Sequence, residues 1–199
     1  MRISEITRNT NETKITGKLD LDGYMTDKKL PGNIDTGVGF LNHMLVLFEK
    51  HGGLNLDIKC HGDLDVDCHH TVEDIGIVIG KMINEALGDK SGIKRYANAT
   101  IPMDEVLVTV TIDLSGRPYL VFNADIPCEQ IGEYDTEITE DFFRAVAFQC
   151  GMTLHINVHY GKNAHHIIEC IFKAFARCLK EAASIDPTIK GVMSTKGCL

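Results

Sequence analysis

An α+β fold written twice in one chain is what this sequence predicts, on three observations. The motif His69-His70-Thr71-Val72-Glu73 returns 96 positions later (165 against 69) as His165-His166-Ile167-Ile168-Glu169. The hydropathy pattern runs through one order in both halves: strand, strand, helix, strand, turn, helix. The 199 residues, 44% hydrophobic, suffice for one substantial domain or two small similar units.

Residues 2 to 21 alternate polar and apolar through Ile3, Ile6, Ile15, Leu19 and Leu21, with Asn9-Thr10-Asn11 in the middle, which predicts a β-hairpin. Asp22-Gly23 and Leu30-Pro31-Gly32-Asn33 mark loops. From Val38 to Lys50 the residues Phe40, Leu41, Met44, Leu45, Leu47 and Phe48 keep helical spacing up to His51-Gly52-Gly53, giving a helix with His43 near its start. Leu54 to Ile58 alternates as a strand, and His61-Gly62-Asp63 reads as a turn into a second short strand, Leu64 to Asp67. The first motif helix then runs from His69 to about Leu87 on a stripe of Val72, Ile75, Ile79, Met82, Ile83 and Leu87, and stops at Gly88.

After Ser91-Gly92 a comparable order restarts. Val106 to Leu114 is a strand, Ser115-Gly116-Arg117-Pro118 turns it, and Tyr119 to Asn123 returns. Glu137 to Gln149 is a helix stopped at Gly151, Thr153 to Tyr160 is a strand, and Gly161 to Ala164 leads into the second motif helix, ending near Ala183. The division is a first repeat over 1–92, a second over 93–185 and a tail over 186–199. Aligning Gly53 with Gly151 gives an offset of 98 over the preceding helix, which sets His43 opposite Asp141.

Composition narrows the function. Twenty Lys and Arg against 28 Asp and Glu give a net charge of −8 without long blocks, which disfavours nucleic acid and requires a local basic pocket for any anionic ligand. Seven scattered cysteines without a C-x-x-C pair suit reduced thiols. The N-terminus has no apolar signal core and no run is long enough to cross a bilayer, so a cytoplasmic address and no membrane partner are expected.

On a helix turning about 100° per residue, the first His lies at zero, the second near 100° and the Glu near 40°, all on one face. Adjacent imidazoles diverge too far to chelate one ion, but His and Glu at i, i+4 can close on one while the other His reaches a second. One such motif is more often a solvated helix start; a duplicated pair favours two metals. The candidate ligands are His69, His70, Glu73, His165, His166 and Glu169, with His43 and Asp141 added by the repeat. Imidazole and carboxylate without thiolate suit Mn, Fe, Co or Zn, and six-coordinate Mn would keep about two positions open for substrate, which implies catalysis rather than a closed structural site. His155 competes as a ligand, although an alternating strand favours packing or a supporting role. His61 and His159 have no partner copy, and His51 sits at a helix end where a cation is favoured. For the basic pocket the candidates are Arg95, Arg117, Lys173 and the tail Ser194-Thr195-Lys196-Gly197, which can offer hydroxyls, N–H groups and an ammonium to a phosphate. Singly, each is an ordinary surface charge, and the tail alone reads as disordered.

The two motifs, together with Arg8-x-Thr-x-Glu-Thr13, Pro102-Met103-Asp104-Glu105, Asp113-Leu-Ser-Gly-Arg-Pro118, Phe142-Phe143-Arg144, Thr153-Leu-His-Ile156, Phe172-Lys173-Ala174-Phe175 and Ser194-Thr195-Lys196-Gly197, resemble imidazoleglycerol-phosphate dehydratase of histidine biosynthesis nearly end to end. The resemblance implies a two-layer α/β sandwich, an internal duplication of a ribosomal protein S5 domain 2-like unit, each half a sheet backed by two helices. It implies two Mn2+ ions per active site and a homo-oligomer of twenty-four chains with active sites between subunits. His43, His69, His70, Glu73, His165, His166 and Glu169 match metal ligands; Glu12, Arg95, Arg117, Lys173, Ser194 and Lys196 match substrate contacts, with Thr195 between the last two. Asn42 stands where many members have Asp, and Asp141 where many have the His that serves as eighth ligand. The implied reaction dehydrates imidazole glycerol phosphate to imidazole acetol phosphate. Metals on the ring nitrogens favour the imidazolate, a hydroxyl leaves to give a diazafulvene, and a carboxylate takes the neighbouring C–H proton. Glu12, Glu73 and Glu169 are the candidate bases. The same ligands would serve a dinuclear metallohydrolase, which releases phosphate, or an assembly protein whose histidines cross-link subunits.

Overall fold

The computed structural model describes residues 2–23 and 32–199. Within them the first half runs β1 (Ile3–Asn9), β2 (Thr13–Asp20), β3 (Ile34–Asp35), α1 (Gly39–Gly52), β4 (Asn55–Gly62) and α2 (His69–Leu87). The second half runs β5 (Tyr96–Met103), β6 (Val106–Asp113), β7 (Tyr119–Asn123), a small hairpin of β8 (Gln130–Ile131) and β9 (Tyr134–Asp135), α3 (Ile138–Cys150), β10 (Thr153–Tyr160) and α4 (Ala164–Ala182). The two main sheets have the same order, β1-β2-β4-β3 and β5-β6-β10-β7, with the fourth strand parallel to its neighbour and the other pairings antiparallel. Identical topology in both halves is the duplication in three dimensions.

Alternation places one face of each sheet inward. Ile15 and Leu19 on β2, and Val106, Val108, Val110 and Ile112 on β6, are buried and meet the helices. Helix α2 packs on β1 and β2, α4 packs on β5 and β6, and the helices of one half then lie against those of the other, α2 on α3 and α1 on α4. The helices thus form the middle of the molecule and the sheets its outside. One hydrophobic cluster runs through both halves, from Ile15 and Leu41 to Phe143 and Phe172. Helices α1 and α3 stop by the same chemistry: Gly53 (φ 64°) and Gly151 (φ 68°) take the left-handed conformation that closes a helix C-terminus.

Two sequence expectations are corrected. Residues Leu64 to Asp67 form a turn, with Leu64 and Val66 exposed, because β4 already has β2 on one side and β3 on the other and offers no free edge. The second hairpin is made by β6 with β5, a strand the alternation does not reveal, while Tyr119–Asn123 does not return along β6 but pairs in parallel with β10. In β5, Ala97 and Ala99 give weak alternation, and Pro102 is tolerated because β5 lies at the sheet edge. The expected loop at Leu30-Pro31 lies outside the described residues, while Gly32 and Asn33 carry no regular structure.

The contact of α2 with α3 is glycine-dependent. A Cβ at Gly76 of α2 would meet the Phe142 carbonyl oxygen at 2.8 Å, and one at Gly80 would meet that of Val146 at 2.6 Å. Gly80→Ala gains about 1 kcal/mol of helix propensity but forces two backbones apart, so a net loss of about 1–3 kcal/mol is expected. A denaturant melt showing equal or greater stability would refute this reading of the α2–α3 contact.

Candidate metal centre and active site

The contact of α1 with α4 decides where ligands meet. His43 leaves the first turn of α1, and His165 and Glu169 occupy one face of the first turns of α4. The Glu169 Oε2 lies 3.3 Å from Nε2 of His43 and 3.2 Å from Nε2 of His165. Ligand atoms of the three side chains all fall within 4.8 Å of one another. Lys173, one turn further along α4, holds the other oxygen, Oε1, at 2.6 Å. Burial pushes the Glu169 carboxyl up, but the Lys173 hydrogen bond and charge, aided by His43 and His165, outweigh it and hold the group below the usual carboxylate range. Two imidazoles facing one carboxylate oxygen, with its other oxygen already anchored, form a donor set that suits a first-row divalent metal.

Within each motif the two imidazoles diverge. Ring centroids are 6.3 Å apart and near perpendicular in both His69–His70 and His165–His166, so neighbours do not share an ion. The second His of each pair is held by a carboxylate from its own half. His70 Nδ1 lies 3.0 Å from Asp63 Oδ2, and His166 Nδ1 lies 2.9 Å from Glu105 Oε2. Those hydrogen bonds raise both imidazoles above their usual value, and the His166 bond lowers Glu105 to about 2. A carboxylate on Nδ1 fixes the ring and leaves Nε2 free to ligate. Neither Asp63 nor Glu105 was singled out as a supporting group in the sequence, although Glu105 sits in a motif quoted above.

The hairpins explain the difference between the halves. Glu105 stands at the tip between β5 and β6 where Glu12 stands between β1 and β2, an offset of 93 residues (105 against 12). In the first half Asp63 has taken the Nδ1 bond, and Glu12 instead faces Nε2 of His70 at 3.9 Å, half exposed. Glu73 is exposed on α2. Asp141 stays on its own helix, 3.7 Å from Arg144 Nε, and among the described residues it joins no ligand group with His69 and Glu73. Asn42 accepts from the N–H and hydroxyl of Thr36, at 2.8 and 2.6 Å, bracing the approach to α1. His155 lies on the outer face of β10, between the inward Leu154 and Ile156, and His159 meets the Thr109 hydroxyl at 2.7 Å. Burial, not a cationic role, dominates His51 and lowers its pKa.

A second site gathers the anion candidates. Arg95, Arg117, Ser194, Thr195 and Lys196 line a cavity of about 830 Å³ under the C-terminal tail. Arg95 is committed to the protein: Nε and Nη2 donate to Asp113 at 2.7 and 3.1 Å, and Nη1 donates to the Met193 carbonyl at 2.6 Å. It thereby pins the tail, and does so from a left-handed backbone (φ 75°). Arg117 is two-thirds exposed and available to a ligand. Lys173 is not in this cavity; it belongs to the Glu169 cluster.

A family model described as imidazoleglycerol-phosphate dehydratase matches residues 36–179. The chain is 58% identical to the imidazoleglycerol-phosphate dehydratase of Clostridium kluyveri over 199 residues, all of both chains. It is 56% identical to that of Acetivibrio thermocellus over 195 residues, 98% of this chain and 97% of the relative. The crystal structure of the Staphylococcus aureus enzyme superposes with a TM-score of 0.82 at 46% identity, over 92% of this chain and 99% of that one.

The supporting carboxylate of His166 can be tested directly. In the metal-free protein the pair's stabilisation is present between the ordinary ranges of its two groups. It is lost in acid as Glu105 protonates towards about 2, and lost as pH rises and His166, raised above 6.5, gives up its proton. Glu105→Gln is expected to return the His166 pKa towards 6.5 in an NMR titration and to weaken metal binding about 10- to 100-fold. An unmoved His166 titration would show that Glu105 does not hold it.

Proposed function

Because the chain belongs to the imidazoleglycerol-phosphate dehydratase family, the hydro-lyases of histidine biosynthesis, we propose that it converts imidazole glycerol phosphate to imidazole acetol phosphate at Mn2+-dependent sites shared between copies. The observation that carries the metal-dependent reading is the convergence of His43, His165 and Glu169 from helices of opposite halves. His70 and His166, each held through Nδ1, present Nε2 for further ligation; His69 and Glu73 complete the donor set on α2, with Asp141 as the ligand left to find.

Bound Mn2+ would supply Lewis acidity to the ring nitrogens, favouring the imidazolate whose electrons expel the hydroxyl on the carbon attached to the ring. The protein's own groups do the rest. Arg117, Ser194, Thr195 and Lys196 bind the phosphate, while Arg95 holds the tail that carries them. Among the three candidate bases, Glu169 has both oxygens engaged and Glu73 is placed to ligate one turn from His69. Glu12 is the free carboxylate beside His70; it takes the C–H proton from the carbon next to the one that lost hydroxide. The resulting enol gains a proton at carbon and becomes the ketone, with water as the other product and the phosphate ester intact.

Separation within one chain supports sharing. Arg95 donates its backbone N–H to Ala182 at the C-terminal end of α4, whereas His165 and His166 sit at the N-terminal end of this helix, about 25 Å away at 1.5 Å per residue. The substrate reaches roughly 10 Å at about 1.5 Å per bond. This separation supports a phosphate cavity of one copy serving the α4 ligands of another. A closed shell of twenty-four chains is the assembly proposed.

Mixed assemblies test this. His165→Ala and Arg117→Ala copies, each inactive or strongly impaired alone, should regain ketone formation when dissociated and reassembled together, because some sites then draw intact ligands from one copy and an intact arginine from the other. No recovery would place the whole site in one chain. Chelation followed by Mn add-back should restore ketone formation without phosphate release; assembly without ketone would leave the metals structural. Glu12→Gln should keep its metal and lose about 10²–10⁴-fold in kcat.

A further inference from the structure

We propose that Asp74 is the positioning residue for Glu12, locking the tip of the first hairpin onto α2 so that the Glu12 carboxylate stays beside His70. This rests on the reading of Glu12 as the proton acceptor.

Asp74 follows Glu73 on α2 but points inward and is 6% exposed. Its Oδ2 accepts from the Thr13 hydroxyl at 2.5 Å and from Nη1 of Arg8. Thr13 in turn lies 3.3 Å from the hydroxyl of Thr10, which accepts from the backbone N–H groups of Glu12 and Thr13 at 3.2 and 2.9 Å. A continuous chain of hydrogen bonds therefore joins the helix carrying His70 to the backbone of Glu12. The Glu12 carboxylate approaches only His70 as a basic partner among the described residues, at 3.9 Å, so its placement comes from the backbone that bears it.

The second half supplies an internal control. By register, Ile101 opposes Val108 on β6 as Arg8 opposes Ile15 on β2; Val106 begins β6 where Thr13 begins β2; and Cys170 follows Glu169 as Asp74 follows Glu73. The Arg8, Thr13 and Asp74 positions are thus Ile101, Val106 and Cys170 in the other copy, where the Cys170 thiol donates to the Ile101 carbonyl at 3.1 Å. The same hairpin packs on the same helix with an apolar trio. A buried charge in the first half is therefore not what the fold needs, since ionic groups at such a place are often no more stabilising than apolar ones of similar size. What distinguishes the halves at this point is the task of the hairpin glutamate: Glu105 is fixed by its own bond to His166, and Glu12 is not fixed by any such bond.

The test is a double-mutant cycle on the assembled, Mn-loaded enzyme. Asp74→Asn is expected to lower kcat about 10- to 10²-fold, with KM within about twofold and metal content and particle size unchanged. On a Glu12→Gln background the same substitution should cost less than about twofold, because a group acting through Glu12 has nothing left to position. The triple variant Arg8→Ile, Thr13→Val, Asp74→Cys, which copies the second half, should assemble and melt like the parent yet show the same fall in kcat; it also serves if Asp74→Asn does not fold. Undiminished turnover in Glu12→Gln would overturn the base itself and the proposal with it. An Asp74→Asn effect that persists in full on the Glu12→Gln background, or a triple variant with normal kcat, would overturn the positioning role alone.

Discussion

The packing of α1 against α4 is the constraint on which the site depends. Neither half can bring His43 to Glu169 by itself, because one lies on a helix of the first half and the other on a helix of the second. The helices that back each sheet bury their remaining apolar surface on those of the other sheet, as where Phe48 of α1 stacks on Phe175 of α4. Burial of such aromatic side chains contributes on the order of 1.5–3 kcal/mol each, more than the half-exposed His43 contact with Glu169 supplies. The hydrophobic interface between halves therefore sets the ligand geometry, and the ligands adapt to it.

Duplication followed by division of labour explains the rest of the polar architecture. Both hairpin tips carry a glutamate and both motif helices carry a second histidine that needs a partner on Nδ1. In the second half the hairpin glutamate is that partner. In the first half the residue after β4, Asp63, has assumed the task, where the second copy has Gly161 just after β10. One change at a strand end thus leaves Glu12 without that bond, and the Arg8–Asp74–Thr13 network holds the backbone that carries it beside His70.

In a chain of net charge −8, positive potential has to be built locally. The cavity under the tail gathers Arg117 and Lys196, while Arg95 spends its guanidinium on Asp113 and on the Met193 carbonyl. A buried arginine in bidentate contact with a carboxylate is a structural clamp, and through the Met193 carbonyl it holds the segment that carries Ser194, Thr195 and Lys196. The tail's own backbone contacts, Gly92 N–H to the Gly191 carbonyl at 2.8 Å and Asp186 N–H to that of Gly92 at 2.9 Å, anchor it to the start of the second half.

Legible in the sequence alone were the duplication, three of the four strands in each main sheet, the first hairpin, all four helices, and the faces on which His43, His165 and Glu169 stand. Periodicity and a repeated motif are local properties, and they survive in the folded chain because the same apolar stripes that make each helix amphipathic also choose its buried side. The tertiary structure decided what periodicity cannot contain. It set β5 as an edge strand where weak alternation and Pro102 concealed it, turned Leu64 to Asp67 away from a sheet with no free edge, and chose Asp63 and Glu105 as the partners of His70 and His166. It also put the cavity lined by Arg117 and Lys196 at the opposite end of α4 from the His43–His165–Glu169 cluster. Those outcomes depend on which elements become neighbours, and neighbours far apart in sequence are selected by packing of the whole core rather than by any short stretch of residues.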